Sequence, residues 1–185
     1  PGIAPPLNVR LMPSPMPIVN AKEALPANGK YLNFLLSDEH YSLPLTKVRE
    51  IIRICPITPV PRMPSHWRGV INLRGKIVPV MNLRRRLLLP PSSDLERACI
   101  VVIQASTESW LIGLLVDVVL EVASIDDEAI EPVPDFGNDL DGRFILGLAK
   151  VKDSVITVLD IDTLLSDDGA AVSYTHLTLP TIYSV

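Results

Sequence analysis

At 185 residues, 48% hydrophobic and with a net charge near −4, the chain has room for one domain or two small ones, and it is too apolar to be largely disordered. A pI of about 5.3 speaks against nucleic-acid binding driven by bulk charge. Two cysteines, Cys55 and Cys99, can build neither a disulfide framework nor a closed zinc site, so the chain reads as intracellular.

The N-terminus lacks the charged-then-apolar pattern of a signal peptide. The most apolar stretch, Trp110 to Ala123, carries Asp117 and Glu121 and is too short to span a bilayer. Residues 1–28 hold seven of the 18 prolines and predict an extended or disordered arm, with Ile18-Val19 as the pair suited to one edge strand. Tyr31–Leu36 and Tyr41–Leu45 are apolar runs around the polar turn Ser37-Asp38-Glu39-His40, a hairpin pattern. Lys47–Ile52 suits a strand or a short helix equally. Pro56, Pro59, Pro61 and Pro64 predict a loop or an edge segment. Val70–Leu73 and Ile77–Val80 flank Arg74-Gly75-Lys76, a tight hairpin tip, and Asn82 is placed to cap a short helix. Strands are predicted over Ile100–Gln104, Trp110–Val116 and Val118–Val122. The acidic loop Asp126–Asp141 follows, then a hairpin over Lys152-Asp153 and a capped helix from Asp160 to Leu165. Strand alternation points Leu32, Phe34, Val78, Val80, Ile112, Leu114, Ile156 and Val158 into barrel interiors.

Gly69–Leu87 and Gly147–Leu165 align without gaps at an offset of 78, each reading strand, tight turn, strand, capped helix. Gly69 meets Gly147, Arg74 meets Lys152, and Asn82 meets Asp160. More loosely, Val48-Arg49-Glu50-Ile51 meets Val119-Leu120-Glu121-Val122. Two copies of one β unit follow, each with roughly five strands and closing into a small barrel to protect its edges. Charge divides the chain as well. Residues 1–97 carry 14 Lys/Arg against 6 Asp/Glu, whereas 98–185 carry 3 against 15. Such polarity suits binding to protein surfaces, or merely two solvated faces.

Catalytic chemistry is not apparent. His40, His66 and His176 have no companions at ligand spacing, and neither cysteine has the partners of an activated nucleophile. Gly75-Lys76 lacks the rest of a phosphate loop, and Asp126-Asp127-Glu128 lacks the alternation of a calcium loop. Arg84-Arg85-Arg86 has no interleaved aromatic residues for stacking on bases. No catalytic residue, cofactor or metal is therefore predicted.

One segment is specific. Gly69-Val70-Ile71-Asn72-Leu73-Arg74-Gly75, followed by Ile77-Val78-Pro79-Val80 and Asn82-Leu83, closely resembles the hallmark of the CheW family, the coupling proteins of bacterial chemotaxis. Tyr41–Leu45 before Val48-Arg49-Glu50-Ile51, Gly113–Asp117, and Leu146-Gly147-Leu148 extend the resemblance over 29–166. It implies a mainly β fold of two packed, five-stranded, SH3-like barrels with short helices, preceded by the arm. It also implies a non-enzymatic adaptor without cofactors. Such an adaptor links the cytoplasmic tip of methyl-accepting chemoreceptors to the regulatory domain of a chemotaxis histidine kinase, at receptor arrays on the inner face of the membrane.

By position in the motif, Val48, Glu50, Arg74, Gly75 and Val122 fall where the family carries coupling residues, and Glu50 and Arg74 match a pair that can bridge. The alternatives are a fragment of a kinase regulatory domain or of a coupler–receiver fusion, and, from another class, a small β-barrel hydrolase. The proline-rich run 56–64, Trp67 and the acidic second half depart from the family pattern and leave the output open between flagella, pili and other systems. Within 167–185, the run Val172–Val185 matches nothing expected of the family and reads as appended sequence or a native extension.

Overall fold

A computed structural model describes residues 17–19, 29–92, 95–104, 110–133 and 144–166. The remainder of the predicted arm, part of the acidic loop and the tail from 167 lie outside the described residues. Among the described residues, twelve strands form two six-stranded sheets. In chain order they are β1 (Pro17–Val19), β2 (Lys30–Leu36), β3 (Glu39–Pro44), β4 (Val48–Arg53), β5 (Trp67–Leu73) and β6 (Lys76–Asn82). Helix α1 (Leu83–Arg86) follows, then β7 (Cys99–Gln104), β8 (Leu111–Val116), β9 (Val118–Ser124), β10 (Ile130–Glu131), β11 (Ile145–Val151), β12 (Ser154–Leu159) and helix α2 (Ile161–Ser166). The Pro56–Pro64 run forms no named strand and pairs only through an isolated bridge from Thr58 to Val70.

Sheet A runs β1-β4-β7-β8-β6-β5 and sheet B runs β10-β11-β12-β3-β2-β9. Five strands of each correspond by the repeat: β4, β7, β8, β6 and β5 with β9, β2, β3, β12 and β11. The sixth strands, β1 and β10, are short additions of three and two residues. Both sheets contain one parallel pair, Val80 beside Gly113 and Val158 beside Ser42, at matching positions.

The duplication is therefore real, but one expectation is corrected: neither copy closes its own barrel. Hairpin β2–β3 of the first copy completes the sheet of the second, and hairpin β7–β8 of the second completes the sheet of the first. Connector length forces this exchange. Within one barrel β3 and β4 would both be antiparallel to β2, hence parallel to each other, and a parallel return needs a dozen or more residues. Only 45–47 join β3 to β4, and Asp117 alone joins β8 to β9, so the chain passes onward into the neighbouring barrel each time.

Both copies are pinned alike. Gly69 (φ 142°) and Gly147 sit at irregularities of their hairpins, where an added Cβ would meet Thr58 O at 2.1 Å and Glu131 O at 2.4 Å. Asn82 and Asp160 cap α1 and α2, accepting from the amides of Arg85 at 3.4 Å and Thr163 at 3.1 Å. All eight residues assigned to barrel interiors are buried, but Leu32, Phe34, Ile112 and Leu114 lie on the other face of their strands, in the cluster between the sheets. Val78, Val80 and Val158 do face a barrel interior. Strands β2 and β8 are apolar on both faces, so alternation could not choose between them. Ile71, Val78, Val80, Ile100 and Val102 fill barrel A, and Tyr31, Ala149 and Val158 line barrel B. The largest cluster, including Leu32, Phe34, Ile51, Val101 and Leu114, joins faces of both sheets. Against the predicted four-residue turn, Glu39 and His40 are already in β3, and only Ser37-Asp38 turns.

Candidate coupling surface

Arg74 and Gly75 form the two-residue tip of the β5–β6 hairpin, with φ of 50° and 87°. Positive φ at both turn positions matches the right-handed twist of the strands, and the amide of Gly75 donates to Asn72 Oδ1 at 2.8 Å. The tip thereby aims Arg74 away from its own ladder. Its guanidinium donates to Glu50 Oε1 on β4. Glu50 follows an irregularity in β4, where Val48 pairs with Ile103 and Glu50 with Val102, leaving Arg49 as the extra residue. Strands β5 and β4 lie on opposite sides of sheet A, so this ion pair clasps the sheet across its seam. Exposure is unequal: 9% for the Glu50 side chain and 55% for Arg74, so the carboxylate is seated and the cation faces solvent.

The predicted residues divide accordingly. Glu50, Arg74 and Gly75 come together at one seam. Val48 is buried in the largest core cluster and offers a partner no surface of its own. Val122 lies in sheet B opposite Leu32 and is half-buried against that same cluster.

A second clasp was missed at the sequence level. Lys152, at the tip of the β11–β12 hairpin with φ 57°, lies 3.5 Å from Glu121 on β9. It repeats Arg74–Glu50 at the matching positions, beside a matching irregularity of β9. Here both side chains are open, 76% and 51% exposed, so the second clasp is the looser one. The two alignments already in hand, Glu50 on Glu121 and Arg74 on Lys152, carried the signal for it.

Two further ion pairs lie where the chain crosses between sheets. Arg84 of α1 donates through Nε to Asp117 Oδ1 at 2.9 Å and through Nη2 to Oδ2, and its Nη1 reaches the Pro90 carbonyl. Asp117 also accepts from the Ser37 amide at 2.7 Å. The hydrogen bond to Asp117 holds the Arg84 pKa above its ordinary value, so the guanidinium stays charged throughout. Lys47, just before β4, donates to Asp162 of α2 at 2.8 Å. Between the helices, Arg86 stacks over Phe144 at 4.5 Å and donates to the Leu164 carbonyl.

Among the described residues, no three His, Cys, Asp or Glu side chains gather closely enough to hold a metal ion. Both thiols are pushed up, chiefly by burial, away from the reactive thiolate form. No helix of the described residues is long and apolar enough to cross a membrane.

Comparison with known proteins gives a consistent picture. Residues 30–169 match the CheW-like domain. A probable chemotaxis protein CheW from Rhizobium etli is 33% identical over 134 residues, covering 72% of this chain and 85% of that protein. The chemotaxis protein CheW of Rhizobium meliloti is 31% identical over 152 residues, covering 82% and 97%. Among solved structures, the scaffolding protein TtCheW of Thermoanaerobacter tengcongensis superposes with a TM-score of 0.69 at 33% identity, covering 80% of this chain and 94% of that one.

Proposed function

Taking as premise that the chain belongs to the CheW-like family, and is by that membership a chemotaxis coupling adaptor, we propose that it acts without catalysis, bridging chemoreceptors and a kinase. In this reading the receptor contributes its cytoplasmic tip, the kinase its regulatory domain, and the adaptor works at receptor arrays on the inner face of the membrane. The supporting observation is the Glu50–Arg74 clasp at the exposed tip of the family's hallmark hairpin. A guanidinium anchored to a seated carboxylate, with half its surface open, suits a bidentate contact with an acidic group on a partner. Gly75 supplies the positive φ of 87° that the tip requires, and the space beside it is open, with nothing within 4 Å of where its Cβ would be. Val48 and Val122 act from beneath, seating β4 and β9.

Arg74→Ala and Glu50→Ala tested for binding to a receptor cytoplasmic fragment and to a kinase regulatory domain decide the matter. Removing a charged partner from an interface costs about 2–5 kcal/mol, so binding to at least one of them weakens tenfold or more while the protein stays folded. Unchanged affinity for both partners in both variants rules the assignment out.

A further inference from the structure

The unequal division of charge along the chain has a use inside the molecule. Residues 29–92 carry eleven Lys/Arg against Asp38, Glu39 and Glu50, whereas 95–166 carry four against fourteen Asp/Glu. These segments are the two copies of the repeat, and they interlock by exchanging hairpins. Each copy is therefore built to pair with a complementary copy, and two candidates exist in solution: the other half of the same chain, or the like half of a second chain. Shape discriminates weakly between them, because the copies share one topology.

Charge discriminates strongly. Parallel pairing of β3 with β12, and of β8 with β6, brings the connector after the first strand to the helix after the second. Lys47 thereby meets Asp162, and Asp117 meets Arg84. The sites are equivalent by the repeat, to within one residue at the connectors, yet their polarity is reversed. One connector is basic and its helix acidic; the other connector is acidic and its helix basic. If two first halves paired, Lys47 would face Arg84 twice. If two second halves paired, Asp117 would face Asp162 twice. Arg84 and Asp117 are only 9% and 12% exposed, a setting in which like charges are expensive.

We propose that these reversed ion pairs, backed by the opposite net charges of the halves, form a pairing code that joins unlike halves and rejects like ones. A second discriminator agrees with it. Gly113 is glycine where the other hairpin has Ser42, and a Cβ at Gly113 would lie 3.3 Å from Val80, so the first hairpin would enter barrel A only if Val80 gave by a few tenths of an ångström.

The more exposed of the two pairs, Lys47 at 19% and Asp162 at 46%, gives the test, because inverting its polarity exchanges one charge for another without adding a buried one. In full-length Lys47→Asp/Asp162→Lys the native contact persists, but both copies now have an acidic connector and a basic helix, so like halves no longer repel. The melting temperature stays within roughly 4 °C of the parent. On refolding from denaturant across a range of protein concentrations, the monomer fraction measured by light scattering falls at least about twofold. A refolded monomer fraction equal to the parent's at every concentration in this variant overturns the code. Partner binding does not enter this readout, so its outcome is independent of the coupling assignment.

Discussion

Glu50 and Arg74 contribute unequally to their ion pair, and the consequence falls on the carboxylate. As a solvent-exposed pair they would be worth about 0–1 kcal/mol. With Glu50 9% exposed, truncating Arg74 removes the donor of a largely buried acceptor, and the expected loss is about 1–2 kcal/mol, tempered by water entering where the guanidinium stood. Arg74→Ala should thus melt some 2–8 °C below the parent and remain folded, which a thermal scan by circular dichroism checks. Cys55 and Cys99 give a pH dependence. Burial raises both thiols above their ordinary value of 9.0, favouring the neutral form in the folded protein. Their contribution to stability is complete below that value and declines as pH climbs through the raised values, because the unfolded chain ionises first. Denaturant midpoints should therefore be level from pH 7 to about 8 and fall above about 9, with a shallower fall in Cys99→Ala.

At the scale of the element, three hairpin glycines look alike in sequence and differ in cost. Gly69 and Gly147 each face a neighbouring backbone, so Gly→Ala at either should cost roughly 2–4 kcal/mol. Gly75 faces open space and is held only by its φ of 87°, so Gly75→Ala should cost about 1–2 kcal/mol. Equal denaturation midpoints for all three variants would contradict this ranking. The repeat made much of this legible: Gly69 aligned on Gly147 announced two equivalent hairpins, and alternation turned Val78, Val80, Ile156 and Val158 inward as found. Asn82 and Asp160 declared the helix starts. The choice of neighbour for each hairpin was not legible from alternation, because a strand's pattern records which face is apolar and not which strand lies beside it. The clue lay instead in the connectors, too short at 45–47 and Asp117 for a parallel return. Of the site, Glu50, Arg74 and Gly75 could be grouped from the motif. That Val48 is buried, and that Glu121–Lys152 repeats the clasp, depended on the pairing of strands across the seam.

For the whole molecule, two barrels do not mean two folding units. Each sheet contains strands from both copies, and the largest apolar cluster joins them, so neither barrel can open without dismantling the other. Unfolding by urea should be a single transition with coincident curves from tryptophan fluorescence (Trp67 in β5, Trp110 before β8) and from far-ultraviolet dichroism. A populated intermediate retaining one intact sheet would refute that coupling.

The exchanged hairpins also set a timetable for biosynthesis. Tyr41 leaves the ribosome early, yet its parallel partner in the ladder is Thr157, near the end of the described chain. At about 5–20 residues per second, the first hairpin waits on the order of ten seconds before the strand that completes its sheet is translated. Until then Leu32, Phe34 and Leu43, fully enclosed in the finished protein, lack the cover that Leu159, Ile161 and Leu164 provide, although Ile51, Val101 and Leu114 of the same cluster are made sooner. Part of the apolar cluster therefore stays open during translation, and the first half meets that interval as a strongly cationic polypeptide that repels its neighbours on the same messenger.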